Sequence, residues 1–368
     1  MIVEVGSVGN GGICIAHAPD GRAILVRHAL PGERVRLEVT EERSSYLRAD
    51  AVEILEASPH RVAPPCPYAG PGHCGGCDWQ HVHLDEQRRL KAAVVADQLR
   101  RIAGLDVDVV AEAVPGDVQG LHWRRRIRFA VDADGVAGLR RHRSHEVEPI
   151  DDCLLAHPDL PVRSVLAQRW PDSEGVEVDL GAAVQAIGRD WHVPEGSFWQ
   201  VHPGAPAALC EAVTGYARVS GIDRCLDLFS GVGLFAGALA AQAPGAEVVA
   251  VESDRAAVEA ARANLADHPK VRVVAERVDR WLARSRPQTD LVVLDPPRRG
   301  VGRAIVDGIA AAGPRSVVYV SCEPASLARD IGLLAGHGYR LEGLRAFDLF
   351  PMTAHVECVA LLEAAKRP

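Results

Sequence analysis

The chain has 368 residues, 48% of them hydrophobic and 24% charged, with a formal net charge of -8. That length allows two or three domains with a sizeable core, and the composition is that of an ordinary globular protein, not a disordered or fibrous one. No apolar run approaches a membrane span, so no membrane partner is expected, and the acidic balance does not by itself point to nucleic acid.

The opening MIVEVGSVGNGG carries no basic leader and no signal-like core, which predicts a cytoplasmic location. Nine cysteines in such a chain do not read as a disulfide framework. Cys14, Cys210, Cys225 and Cys358 read as packing residues. Charge is unevenly spread: within residues 122–145 seven arginines face two aspartates, and residues 86–101 are also basic. Lysine occurs only at 91, 270 and 366, so part of this richness is a bias toward arginine.

Residues 1–57 read as a small all-β unit. Apolar runs at Ile2–Val5, Ile13–Ile15, Ala23–Val26, Val35–Val39 and Ala51–Leu55 are separated by Gly- and Pro-rich turns, as in an OB-like barrel. The Pro-rich SPHRVAPPCP, residues 58–67, marks a boundary. Cys66, Cys74 and Cys77 follow within twelve residues, with Cys153 far downstream. Such a four-thiolate set suits zinc or an iron–sulfur cluster. Helical spacing of apolar residues runs from His83 to Ile102, with basic residues between. Residues 107–197 hold strand-like runs at Val107–Val110, Ile127–Val131 and Val176–Leu180 beside the basic WRRRIRF, an RNA-facing stretch by its charge.

From about residue 225 strands and helices alternate, which predicts an α/β doubly wound sheet. CLDLF, AEVVAVE, VRVVAE, LVVLD and VVYVS are its strands, with final strands near Tyr339–Phe347 and Val356–Leu362. Gly231 and Gly233 in the first strand-to-helix turn let a ligand approach the backbone. Glu252, about twenty residues on, suits ribose hydroxyls. The missing third glycine favours S-adenosylmethionine over a dinucleotide, though these residues alone leave nicotinamide open. Asp295 ends the strand LVVLD before Pro296-Pro297. Cys322 stands just beyond VVYVS, where open α/β sheets hold ligands. A lone cysteine there is more often a packing residue; its company decides.

In order, LDLFSGVG, DPPRRG, YVSCEPASLARD and DLFPMTAHVE resemble the RNA uracil-C5 methyltransferases, S-adenosylmethionine-dependent enzymes that make 5-methyluridine. The resemblance spans nearly the whole chain, since residues 9–39 are similar to the TRAM domain, an RNA-binding barrel. It implies a Rossmann-like methyltransferase sheet in residues 198–368 and an OB-like TRAM barrel in 1–57. Between them, in 58–197, it implies a small α+β domain whose Cys66, Cys74, Cys77 and Cys153 hold a 4Fe–4S cluster. A helix near 83–113 is expected to pack on the catalytic domain.

Carried over by motif, Cys322 is the nucleophile and Glu357 the general base. Asp295 holds the target uracil and lies against the cofactor. Gln200, in FWQVHPG, stands between base and cofactor with Phe198 nearby, and Phe229, Gly231, Gly233 and Glu252 contact S-adenosylmethionine. The chain departs from the family pattern at Leu234, where some members have a polar cofactor contact. It departs also at Arg277, where an acid or amide usually meets the adenine, and in the seven-residue gap between Cys66 and Cys74. The expected partner is RNA, 23S rRNA ahead of tRNA, because relatives with both the barrel and the four cysteines mostly act on ribosomal RNA. A monomer is expected. The rival readings are the same chemistry on tRNA, a radical enzyme, and a catalytically inert RNA-binding protein, which would lack the Cys/Glu pair.

Overall fold

The structure, a computed structural model, describes residues 1–116, 119–181, 183–218 and 221–365. The chain forms two compact units. One comprises Met1–Asp97, Gly116–Leu180 and Asp348–His355; the other comprises Gln98–Pro115, Gly181–Phe347 and the chain from Val356 onward. Among the described residues no helix is long and apolar enough to cross a membrane.

Five strands open the first unit: β1 (Ile2–Glu4), β2 (Cys14–His17), β3 (Ala23–Arg27), β4 (Arg34–Glu42) and β5 (Tyr46–Glu56), in the order β1-β4-β5-β3-β2. The chain just past β1 runs back along β2. Gly6 N–H donates to the Ile15 carbonyl at 2.7 Å and Ile15 N–H to the Ser7 carbonyl at 2.9 Å, while Val8 bridges Cys14. Both edges are therefore paired and the sheet closes into the expected barrel. Period-two alternation fills it: Ile24, Val26, Val35, Leu37, Leu47 and Ala49 point inward. β5 starts at Tyr46, ahead of the apolar run at Ala51, because the partly buried Arg48 and Asp50 alternate with buried Leu47 and Ala49.

Helix α1 (Leu84–Gln98) follows, where the periodicity predicts one. Its inner side carries two polar residues with no exposed surface, Gln87 and Lys91. The Gln87 amide donates to the carbonyls of Trp79 and Val82 at 3.0 and 2.9 Å, and its oxygen accepts from Met352 N–H at 2.8 Å. Lys91 pairs with Asp348 and donates to the Phe350 carbonyl at 3.0 Å. This i, i+4 pair thus holds the segment Asp348–His355.

Strand β6 (Ala111–Ala113) belongs to the second unit. The expected strand at Val107–Val110 is absent there; Val110 is 75% exposed, and pairing starts only at Ala111. Back in the first unit, β7 (Arg126–Val131), β8 (Ala137–Arg140), β9 (Val147–Pro149), helix α2 (Val162–Leu166) and β10 (Gly175–Asp179) follow. The strands form an antiparallel sheet ordered β10-β7-β8-β9, packed around Ile127, Phe129 and Val178. On it Arg126 pairs with Asp179 and lies 3.8 Å from Glu177, so part of the basic stretch is neutralised across the sheet.

The second unit continues with the hairpin β11 (Ala183–Ala186) and β12 (Arg189–His192), then α3 (Ala205–Ala217), β13 (Arg224–Leu228) and α4 (Leu234–Gln242). Next come β14 (Glu247–Glu252), α5 (Arg255–Asn264), β15 (Val271–Ala275), α6 (Val278–Ser285), β16 (Leu291–Leu294), α7 (Gly302–Ala312) and β17 (Ser316–Ser321). Helix α8 (Pro324–Ala335), β18 (Tyr339–Asp348) and β19 (Glu357–Ala364) complete the chain's elements. The main sheet of this unit has eight strands, ordered β15-β14-β13-β16-β17-β19-β18-β6. The run from β15 to β17 is parallel and β19 returns antiparallel. The fully buried LVVL of β16 is what a parallel strand covered on both faces requires. The order reverses about β13, and in such sheets the crevice at the carboxyl ends beside the reversal holds ligands.

Candidate active site

Three neighbouring parallel strands, β13, β16 and β17, each end in a residue group singled out by motif. β17 hands the chain to Cys322, two residues before α8 begins. β19 runs antiparallel beside it with Ser321 opposite Cys358. Cys322 and Glu357 are the next residues beyond that last pair, and the Glu357 charge acts on the Cys322 thiol.

Glu357 is only 3% exposed. Its carboxyl is held well above the usual range by burial and then by the negative charge of Asp295, with Arg298 opposing. Desolvation pushes the Asp295 carboxyl up to about 7, although the residue as a whole keeps some exposed surface. The half-buried Cys322 thiol is pushed up to about 11 by burial and then by Glu357, with Arg298 favouring the thiolate and Asp295 disfavouring it. Two carboxyl groups and a thiol thus share a desolvated space near one guanidinium. At neutral pH Cys322 is a thiol, and attack requires its proton to leave. Sequence reading passed over Arg298, although it completes the DPPR motif at the end of β16.

The turn after β13 is strained. Phe229 has φ 63°, a left-handed conformation that costs a bulky residue roughly 1–3 kcal/mol. Gly231 and Gly233 have φ 52° and 95°. A Cβ on Gly231 would meet nothing within 4 Å, whereas one on Gly233 would stand 2.7 Å from Leu265 Cδ1. The first glycine therefore borders open space and the second lets helix α5 pack close. Gly231 N–H donates to Glu252 Oε2 at 3.1 Å, while Glu252 Oε1 accepts from the N–H groups of Ser253 and Asp254 at 2.6 and 2.8 Å.

Two further residues hold this turn. Asp227, within β13, has no exposed surface; burial pushes its carboxyl up to about 7, and Asp295 and Glu252 push the same way. Its Oδ2 accepts from Ala236 N–H at 2.8 Å, and its Oδ1 has no partner among the described residues. Asn264 donates to the carbonyls of Val232 and His192 at 3.1 and 3.0 Å and accepts from His192 N–H at 2.9 Å. It ties the glycine turn to the strand that leads toward Gln200. A carboxylate inside the apolar CLDLF was the available signal for Asp227; Asn264 had none.

Gln200 is buried and Phe198 is 67% exposed. Among the described residues no hydrogen bond or ion pair joins either of them to Cys322, Glu357 or Asp295. Leu234 is buried as the first residue of α4, and the Arg277 guanidinium is engaged by Asp279 at 2.8 Å.

Cys66, Cys74, Cys77 and Cys153 line one small cavity in the first unit, with Tyr68, Arg124 and Asp152 at its wall. Gly76 N–H donates to Cys74 Sγ at 3.4 Å and Gln80 Nε2 to Cys77 Sγ at 3.2 Å. Among the described residues no three His, Cys, Asp or Glu side chains gather as they would round a metal ion. The expected iron–sulfur domain is therefore not shown by the structure.

Residues 184–365 match the model of the tRNA (uracil-5-)-methyltransferase family, and residues 1–52 match the TRAM domain. An uncharacterized RNA methyltransferase of Streptomyces avermitilis is 44% identical over 99% of this chain and 98% of its own length. The 23S rRNA (uracil(1939)-C(5))-methyltransferase RlmD of Pseudomonas putida is 34% identical over 94% of this chain and 90% of its own. Among solved structures, the Pyrococcus abyssi tRNA (uracil-54, C5)-methyltransferase in complex with S-adenosyl-L-homocysteine superposes with a TM-score of 0.71 at 22% identity. It covers 98% of this chain and 100% of that one, which shows a shared fold. With near-full-length relatives at 44% and 34% identity and a uracil-5 match across residues 184–365, the chain belongs to the S-adenosylmethionine-dependent RNA uracil-5 methyltransferases.

Proposed function

We propose that this enzyme methylates C5 of a uridine in 23S rRNA through a covalent Cys322–C6 adduct, with Glu357 as general base. The observation that supports the reading is that Cys322 and Glu357 lie directly beyond the last pair of β17 with β19, Ser321 and Cys358, with Asp295 and Arg298 in electrostatic range of both. Uracil C5 is too weak a nucleophile to take a methyl group unaided. Cys322 gives its proton to solvent and its sulfur bonds to C6; the C5–C6 π electrons move toward O4 and make C5 enolate-like. S-adenosylmethionine, when bound, supplies an electrophilic methyl group for that carbon. Glu357, as the carboxylate, then takes the C5 proton, and the electrons left behind expel Cys322. Its raised proton affinity makes it a stronger base for a carbon acid. Asp295 and Gln200 hold the uracil edge with Phe198 nearby, and Arg298 steadies the charge on sulfur and ring. Because both ring faces are engaged, the base must leave its stack.

Phe229, Gly231, Gly233, Glu252, Gln200 and Asp295 are assigned to the cofactor. The open space at Gly231 and the fixed Glu252 carboxylate support this. The four cysteines are assigned to a 4Fe–4S cluster. A cavity lined by all four, with N–H groups aimed at two sulfurs, supports this. Such a cluster would staple segments far apart in sequence. In this reading residues 1–57 grip RNA, 58–197 carry the cluster and 198–368 perform the chemistry in a cytoplasmic monomer.

The choice of 23S rRNA is supported by the RlmD relatives. The test is to delete the gene and measure 5-methyluridine in purified ribosomal and transfer RNA by mass spectrometry. Loss from ribosomal RNA alone is expected. Loss from transfer RNA alone would reassign the substrate, and loss from neither would overturn the activity.

A further inference from the structure

The helix that starts two residues after Cys322 also grips the loop that follows Asp295. Ser326, Arg329 and Asp330 fall at i, i+3 and i+4 on one face of α8. Ser326 Oγ donates to the Arg298 carbonyl at 2.8 Å, shared with the Glu323 carbonyl at 3.0 Å, and Arg329 donates to the Arg299 carbonyl at 2.7 Å. The fully buried Asp330 carboxylate accepts from the N–H groups of Val301 and Gly302 at 2.8 and 3.2 Å, from the Tyr319 hydroxyl at 2.8 Å, and from Arg329. Gly300, with φ 70°, completes the fit, because a Cβ there would stand 2.3 Å from Asp330 Oδ2.

A loop that only had to join β16 to α7 would need none of these bonds, since the first N–H groups of a helix are ordinarily met by a local cap or water. Here a carboxylate from a different helix meets them, where the helix dipole favours negative charge. That carboxylate is held in turn by Tyr319, on the strand that delivers Cys322. We propose that Ser326, Arg329 and Asp330 are positioning residues that fix the spacing between the Cys322 thiol and the Asp295–Arg298 loop. The uracil held by that loop then meets the sulfur at attack geometry. The inference rests on the reading of Cys322 as nucleophile.

The test compares full-length wild type with Asp330→Asn and with a Ser326→Ala, Arg329→Met double variant. Three quantities are measured: melting temperature, equilibrium binding of S-adenosylhomocysteine and of RNA, and the single-turnover rate of adduct formation on 5-fluorouridine-substituted RNA with S-adenosylmethionine. Both ligands should bind within about twofold of wild type while Asp330→Asn forms adduct about 100-fold more slowly, the loss expected for a misplacement near 1 Å. The double variant should lose about tenfold, the scale of ordinary hydrogen bonds. Adduct formation at the wild-type rate by folded Asp330→Asn, or by the double variant if Asp330→Asn does not fold, overturns the proposal. Equal loss of rate and of both affinities also overturns it, since that marks general loosening of the fold. Cys322→Ala is run alongside: adduct on that protein defeats the nucleophile reading. No adduct there with wild-type rates in the other variants defeats the clamp alone.

Discussion

Asp227→Asn isolates what it costs to keep a carboxylate under the glycine turn. The side chain has no exposed surface and its carboxyl is raised from 3.8 to about 7 by burial, with Asp295 and Glu252 adding to it. The folded protein holds this proton to higher pH than the unfolded chain does. The group's stabilising effect is therefore whole below pH 3.8 and is lost as pH rises through about 7. At 1.36 kcal/mol per unit, the loss between pH 5 and pH 8 comes to roughly 2–3 kcal/mol. Asparagine has nearly the same shape and stays neutral throughout, so any cost of its unpaired amide is equal at both pH values. Urea denaturation of both ligand-free proteins at pH 5 and pH 8 gives the four stabilities needed. The wild type's stability relative to the variant should fall by that roughly 2–3 kcal/mol on going to pH 8. A difference that does not change with pH, or one that shifts in favour of the wild type on going from pH 5 to pH 8, would refute the assignment of a proton-holding carboxyl.

Glu357→Gln should still attack RNA and transfer the methyl group, but turnover should fall by about 10²–10⁴-fold, the usual worth of a general base. An adduct should then accumulate on natural RNA in a denaturing gel, and normal turnover would place the base elsewhere. Lys91→Met should destabilise the first unit by about 1–3 kcal/mol, because the buried Asp348 carboxylate and Phe350 carbonyl lose their Lys91 donor while Arg88, at 3.5 Å, still pairs with Asp348; urea denaturation at pH 7 checks this, and a wild-type midpoint would contradict it. Anaerobically purified protein should carry about four irons with matching sulfide, lost in Cys153→Ser. One zinc without iron would replace the cluster with a single-ion site.

Much of this arrangement was legible in residues. The barrel strands and the parallel strands of the catalytic sheet follow from period-two and fully apolar runs, since burial on one face or both writes itself into side-chain pattern. The positions of Cys322, Asp295 and Glu252 follow from where those strands stop. What pattern does not carry is pairing between distant segments. The juxtaposition of Cys322 and Glu357 depends on β19 returning antiparallel beside β17, which no local signal records. The same holds for Lys91 with Asp348 and for Asn264 with Val232, buried polar partners whose helices look unremarkable in sequence. Val107–Val110 failed for the converse reason: β-branched residues in an exposed connection have the composition of a strand without a partner to pair with.

The central claim is that Cys322 bonds to uracil C6. The measurement that meets it directly is peptide mapping by mass spectrometry after incubation with 5-fluorouridine-substituted RNA and S-adenosylmethionine. The wild type should yield a nucleotide adduct on the peptide bearing Cys322, and Cys322→Ala should yield none. An adduct on any other residue, or one that survives in Cys322→Ala, would contradict the account.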